Sequence, residues 1–168
     1  DALRMEQLAS LNLVYADKDD NIFFVHNAKS PVRDPNYDWK QVVPGNKSEL
    51  IWTDFHPFES VPQILNPSSG YIFSTNQNPF FVTAKEDNLS LSNFNPTMGF
   101  QTRTTNRAYR AYELLNADKS ISFSELDKYK HDNKFSYNSR QYKFIEEIFN
   151  HEFSENKLKS SQEFLRDC

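Results

Sequence analysis

The chain has 168 residues, 19 basic and 23 acidic, with a formal net charge of -4. A single core is within reach at this length, and the charge offers no basic field of the kind that drives nucleic-acid binding. No apolar run nears the roughly 20 residues that span a bilayer, so no membrane insertion is expected. The opening DALRMEQLAS has no charged-then-apolar leader pattern, and the one cysteine, Cys168, cannot form an internal disulfide. With 15 Phe, 8 Tyr and 2 Trp, the chain has enough bulky residues to fold.

All 8 prolines and all 3 glycines lie between Pro31 and Gly99, which divides the chain into three zones. Residues 1–28 read as a helix end followed by two strands, LNLVYAD and NIFFVHN, around the turn KDD. Asp17, Asp19 and Asn21 have the spacing that begins a calcium loop, but Ile22 stands where glycine is needed and the distal Glu is missing. A solvated turn is expected. Residues 29–101 alternate Pro-containing turns with short apolar pieces, ELIWTDF, PQILN and GYIFST, which suit strands. So turn-rich a stretch is expected to lean on partners outside the chain.

Residues 102–168 contain neither Gly nor Pro and read as helices. The first is expected near 106–116, with Ala108, Ala111, Tyr112 and Leu115 on one face. The second starts at Ser122, where Glu125 completes a capping box, and is expected to bury Phe123, Leu126 and Tyr129. A third over about 139–153 aligns Tyr142, Ile145, Ile148, Phe149 and Phe153, and a fourth is expected to open on a second capping box, Ser160 with Glu163. The chain by itself is thus α+β.

No Ser/His/Asp signature, Gly-rich phosphate loop or Cys/His metal spacing is present. His26, His56, His131 and His151 are scattered among the zones, and structural or surface roles are expected for them. The informative stretch is 56–79, HPFESVPQILNPSSGYIFSTNQNP: a Pro-bounded approach, a turn at 66–70, a short strand and an Asn-rich exit. On the residues alone, Asn76 at that exit satisfies nearby backbone.

This stretch resembles the penicillin acylase family, which includes acyl-homoserine lactone and lipopeptide acylases. The resemblance rests on Pro-Phe-Glu at 57–59, Asn-Pro-x-x-Gly-Tyr-Ile at 66–72 and the Asn-to-Pro exit at 76–79. The upstream YADKDDNIFFVH is similar to the family's hairpin, with Asp20 in place of the usual turn glycine, and TNRAYRAYELL is similar to its Arg-containing helix start. The three blocks cover about residues 13–116.

The resemblance implies part of the four-layer αββα fold of N-terminal-nucleophile hydrolases, in which a Ser freed by self-cleavage attacks an amide carbonyl. Asp1 is no such nucleophile, since a carboxylate does not replace the hydroxyl, so the Ser is expected outside this chain. What carries over is support: Asn76 at the oxyanion-donating Asn, and Arg107 at the Arg that orients that Asn and the Ser amino group. Arg107 in the first turn of its helix opposes the helix dipole, which suits a site better than a helix. No cofactor is implied beyond a structural calcium that several members hold; Asp87 falls where one ligand would be, and reads otherwise as an exposed loop aspartate. Expected partners are the remaining acylase segments and a small N-acyl amide of penicillin, acyl-homoserine lactone or lipopeptide type, with periplasmic or secreted location. The alternative is a non-catalytic structural or binding module from a degenerate acylase.

Overall fold

The computed structural model describes residues 2–5 and 7–166. Asp1 and Cys168, which entered the sequence reading, lie outside the described residues. The chain divides into two compact units, Asp1–Thr104 and Thr105–Cys168.

The first unit begins with a 3-10 turn, Ala2–Met5, where a helix end was expected. Strands β1 (Leu11–Ala16) and β2 (Ile22–Asn27) then form the expected hairpin, in register from Leu11 opposite Asn27 to Ala16 opposite Ile22. Its turn is closed by one carboxylate: Asp17 accepts the backbone N–H groups of Asp19 and Asn21, each at 2.9 Å. Those bonds stabilise the ionised form and hold the Asp17 carboxyl below its ordinary value, the Asn21 amide first. Asp20 adopts φ 61°, the left-handed region that a glycine enters freely and that Asp, with its short polar side chain, tolerates.

Strand β3 (Gln63–Leu65) pairs antiparallel with β2, giving the order β1-β2-β3. Phe24, Ile64 and Val82 form the centre of the core, with Ile72 and Leu89 packed against it. Phe24 and Val25 are both fully buried although they point to opposite faces of β2, so the middle strand is covered on both sides. Edge strand β1 leaves Val14 and Tyr15 about half exposed on this chain.

Two of the expected strands are absent. Residues 49–55 contribute only the isolated pairing of Phe55 with Pro31. In residues 71–75, the main-chain hydrogen bond found is from the Phe73 N–H to the Val82 carbonyl, at 2.9 Å. Residue preference puts these segments in extended backbone, but a strand also needs a partner along its length, and at 71–75 side chains take the Tyr71 and Phe73 carbonyls instead. Phe73 is nonetheless buried, so its apolar character reports the core and not the sheet.

Among the described residues the second unit has four helices. Helix α1 (Asn106–Ala117) starts where Thr105 accepts the Ala108 N–H, and α2 (Phe123–Lys130) starts with the expected reciprocal capping box of Ser122 and Glu125. Helix α3 (Arg140–Asn150) is capped by Ser139, which accepts the Tyr142 N–H. Helix α4 (Asn156–Arg166) opens a full turn before Ser160, so the Ser160 and Glu163 pair does not cap it. Lys157, Leu158 and Lys159 are good helix formers, and three-residue spacing occurs inside helices as readily as at their starts. Ser161 sits mid-helix by donating its hydroxyl back to the Lys157 carbonyl.

Helix α2 also departs from expectation in its packing. Phe123 is 89% exposed and Leu126 49%, while Tyr129 is half-buried and donates its hydroxyl to Asp118 at 2.7 Å. Phe144 and Phe164 are likewise exposed on this chain. The apolar positions of α3 at Tyr142, Ile145, Ile148 and Phe149 are half-buried, as their spacing predicts.

Polar bonds hold the joints of this unit. Arg110 grips Asp132 with two parallel bonds, Nε to Oδ1 at 2.8 Å and Nη2 to Oδ2 at 2.9 Å. The fully buried Ser136 donates its hydroxyl to Glu113 and its backbone N–H to the Asn106 side chain.

Candidate functional site

The site is built on the segment that follows Phe73, where side-chain amides do what a sheet ladder does elsewhere. Gln77 is buried, at 5% exposure. Its Nε2 donates to the Phe73 and Phe81 carbonyls, and its Oε1 accepts the Thr75 N–H and hydroxyl. Asn78 is buried beside it, donating to the carbonyls of Thr102 and Arg103 and to the Thr104 hydroxyl while accepting the Phe80 N–H. An unpaired buried amide is costly, and these two are fully used.

Between these anchors and Thr75 stands Asn76. Its backbone takes φ 64°, in the left-handed region. Its side chain is exposed and makes no hydrogen bond among the described residues. The contrast with its two neighbours is the central observation: three consecutive amides, two locked into the fold and one held out with its N–H groups free. A left-handed non-glycine residue is strained by about 1 kcal/mol or more and persists where its surroundings over-determine it.

Asn76 lines a cleft of about 390 Å³. Lys29, Arg33 and Arg103 also line it, and among the described residues no carboxylate does. A cavity with cations and no acid, in a chain of net negative charge, favours negative charge developing within it. Arg33 is fixed there by donating to the carbonyls of Thr97 and Met98, each at 3.2 Å. Gly99, at φ 71°, admits this approach, since a Cβ would come within 2.7 Å of Arg33 Nη1.

Asp87 belongs to the same unit and is half-buried, not an open loop residue. Its oxygens accept the Ser68 hydroxyl at 2.8 Å and the Ser69 N–H at 2.7 Å, and the Ser69 N–H foremost holds its carboxyl below the ordinary value. Among the described residues no group of three His, Cys, Asp or Glu side chains stands together. Asp87 thus stands as a single carboxylate, each of whose oxygens already accepts a hydrogen bond.

Arg107 belongs to the second unit, in the first turn of α1. It is exposed and makes no ion pair among the described residues, whereas Arg110 is consumed by Asp132. Of the two arginines on this helix, Arg107 is the free one.

The penicillin amidase family model matches residues 1–167. The chain belongs to the penicillin amidase family. Penicillin G acylase of Escherichia coli is 38% identical over 74 residues, 44% of this chain and 9% of that protein. The structure of a thermostable penicillin G acylase from Alcaligenes faecalis aligns with a TM-score of 0.59 at 20% identity, over 92% of this chain and 26% of that one. This second match establishes the fold: an α+β portion of the architecture of that acylase. The chain spans a minor part of both relatives.

Residue spacing alone gave no reason to single out Gln77 and Asn78, which follow Asn76 and are buried, or Asn12, which donates to the Gln77 carbonyl. The available signal was the run of three amides before Pro79, too many for one strand end.

Proposed function

We propose that this chain is the supporting part of an amide hydrolase that cleaves linear N-acyl amides into an acid and an amine. The nucleophile is a Ser supplied by a segment outside the chain. Attack on the amide carbonyl puts negative charge on its oxygen, and the Asn76 side-chain N–H donates to that oxygen. The observation that carries this reading is the free, exposed amide of Asn76, fixed at φ 64° beside the buried anchors Gln77 and Asn78 and lining a cleft with no carboxylate among the described residues. A donor already in place needs no reorganisation when the charge appears, which is where such sites gain their rate.

Arg107 orients Asn76 and the nucleophile's amino group in this reading. Its charge at the start of α1, against the helix dipole and without an ion-pair partner among the described residues, is poor design for a helix and good design for a site. The remaining acylase segments are the protein partners, consistent with the exposed Phe123, Phe144 and Phe164 and with the chain's small share of its relatives. Among the described residues no helix is long and apolar enough to cross a membrane, and a periplasmic or secreted location is part of the proposal.

The test is Asn76→Ala in the intact parent protein, assayed with acyl 4-nitroanilides. The expected result is a fall in kcat of about a hundred- to a thousandfold with the fold unchanged. Full activity in that variant sinks the assignment.

A further inference from the structure

Asn12 and His26 face each other directly across the hairpin. Asn12 Nδ2 donates to the Gln77 carbonyl at 2.9 Å, joining β1 to the residue that follows Asn76. An amide has one nitrogen and one oxygen, so this bond leaves Oδ1 facing His26 Nδ1, 2.8 Å away. A carbonyl oxygen only accepts, so His26 Nδ1 carries the hydrogen. Burial also pulls the His26 imidazolium below its ordinary pKa, which keeps the ring neutral and leaves Nε2 bare near pH 7.

The other neutral tautomer is incompatible with this arrangement. A bare Nδ1 would turn the Asn12 amide over and set its oxygen against the Gln77 carbonyl, two acceptors at hydrogen-bond distance. The His26 tautomer, the Asn12 orientation and the Gln77 peptide are therefore set together. His26 has the wrong partner for a general base: Nδ1 meets an amide and not a carboxylate, Phe100 packs edge-on at 5.5 Å, and the cleft it lines holds Lys29, Arg33 and Arg103.

We propose that His26 is a positioning residue for Asn76, acting through Asn12 and the Gln77 carbonyl, with no part in proton transfer. This rests on the reading of Asn76 as the oxyanion donor. The required group is an N–H at the Nδ1 position, which the amide of an asparagine reproduces and an aliphatic side chain does not.

The experiment compares Asn76→Ala, Asn12→Leu, His26→Leu and His26→Asn in the intact parent protein with an acyl 4-nitroanilide. His26→Leu and Asn12→Leu should lower kcat about ten- to a hundredfold, because the donor is misplaced rather than removed. KM should stay within about twofold, and His26→Asn should restore kcat to within about threefold without shifting its pH profile. The ¹⁵N spectrum of the wild type should show His26 protonated at Nδ1 and bare at Nε2. If Asn76→Ala is inactive while His26→Leu and Asn12→Leu turn over normally, the positioning role is overturned and the Asn76 reading stands. If Asn76→Ala is fully active, both fall. Should His26→Leu fail to fold, folded His26→Asn decides: near-normal kcat supports positioning, and a collapsed kcat at normal KM refutes it by showing that the ring itself is required.

Discussion

The two units solve the same problem, satisfying buried backbone, by different means. In the second unit four helices pair most of their own N–H and C=O groups, and side chains are needed mainly at the ends and joints: Thr105, Ser122 and Ser139 at starts, Gln162 donating to the carbonyls at the end of α3, and Asn106 accepting the Ser136 N–H. In the first unit regular structure stops at three short strands, and long stretches of backbone are paired by amide side chains instead, Gln77, Asn78 and Asn88 among them. A helix end tolerates loss of one cap, because water can replace it at an exposed terminus. A buried loop tied by one amide has no such reserve. It can also hold a residue such as Asn76 in a conformation that no regular element would impose.

The sharpest way to break this comparison is Gln77→Leu. Similar volume is kept, but the Phe73 and Phe81 carbonyls and the Thr75 N–H lose their partner together. At about 1–3 kcal/mol for each buried group left unpaired, the loss should reach about 3 kcal/mol or more, the largest effect expected of a polar substitution here. Chemical denaturation of the intact protein, with hydrogen exchange read at residues 71–83, measures it. A cost no larger than that of removing a helix cap would show that the amides decorate the loop without holding it.

A smaller effect, with a pH signature, is expected in the second unit from Asp132→Asn. The two bonds from Arg110 are the leading reason that the Asp132 carboxyl lies below its ordinary value of 3.8. The unfolded chain therefore takes up this proton at a higher pH than the folded one. The pair's contribution is complete at neutral pH and is lost as pH falls past 3.8 and through the lower folded value. The substitution should cost about 2 kcal/mol at pH 7 and reduce the dependence of stability on pH below about pH 5. An unchanged acid limb in the variant would show that other carboxylates set it.

How far the sequence revealed each unit follows from the same contrast. Helix starts were legible because the cap acts three residues away, as Ser122 does on Glu125, and the hairpin was legible because its turn closes within five residues. The family blocks made Asn76 legible as a residue. Its surroundings were not, because Asn12 reaches Gln77 across 65 positions and no local pattern records such a bond. The strand expected at 71–75 failed for the reason that Gln77 matters: extended, apolar residues were present, but apart from the bond from Phe73 to the Val82 carbonyl their backbone partners are side chains. The cap expected at Ser160 failed the other way, since a local pattern was present inside a helix that had already begun at Asn156.

The smallest expected effect tests the local side of the comparison. Ser122 accepts the Glu125 N–H, and Glu125 returns a bond to the Ser122 N–H, so both ends of the box lie within one exposed turn. Ser122→Ala should cost about 1 kcal/mol, measured as the shift in the denaturation midpoint, because only one orphan donor is released and water reaches it. The loss should be confined to α2, with hydrogen exchange faster over 123–126 and unchanged over 71–83, since both partners of the box lie within one turn. If exchange rose in both segments, the two units would be one cooperative body, and the separation between cap-held helices and amide-held loops would be a difference of chemistry without a difference of stability.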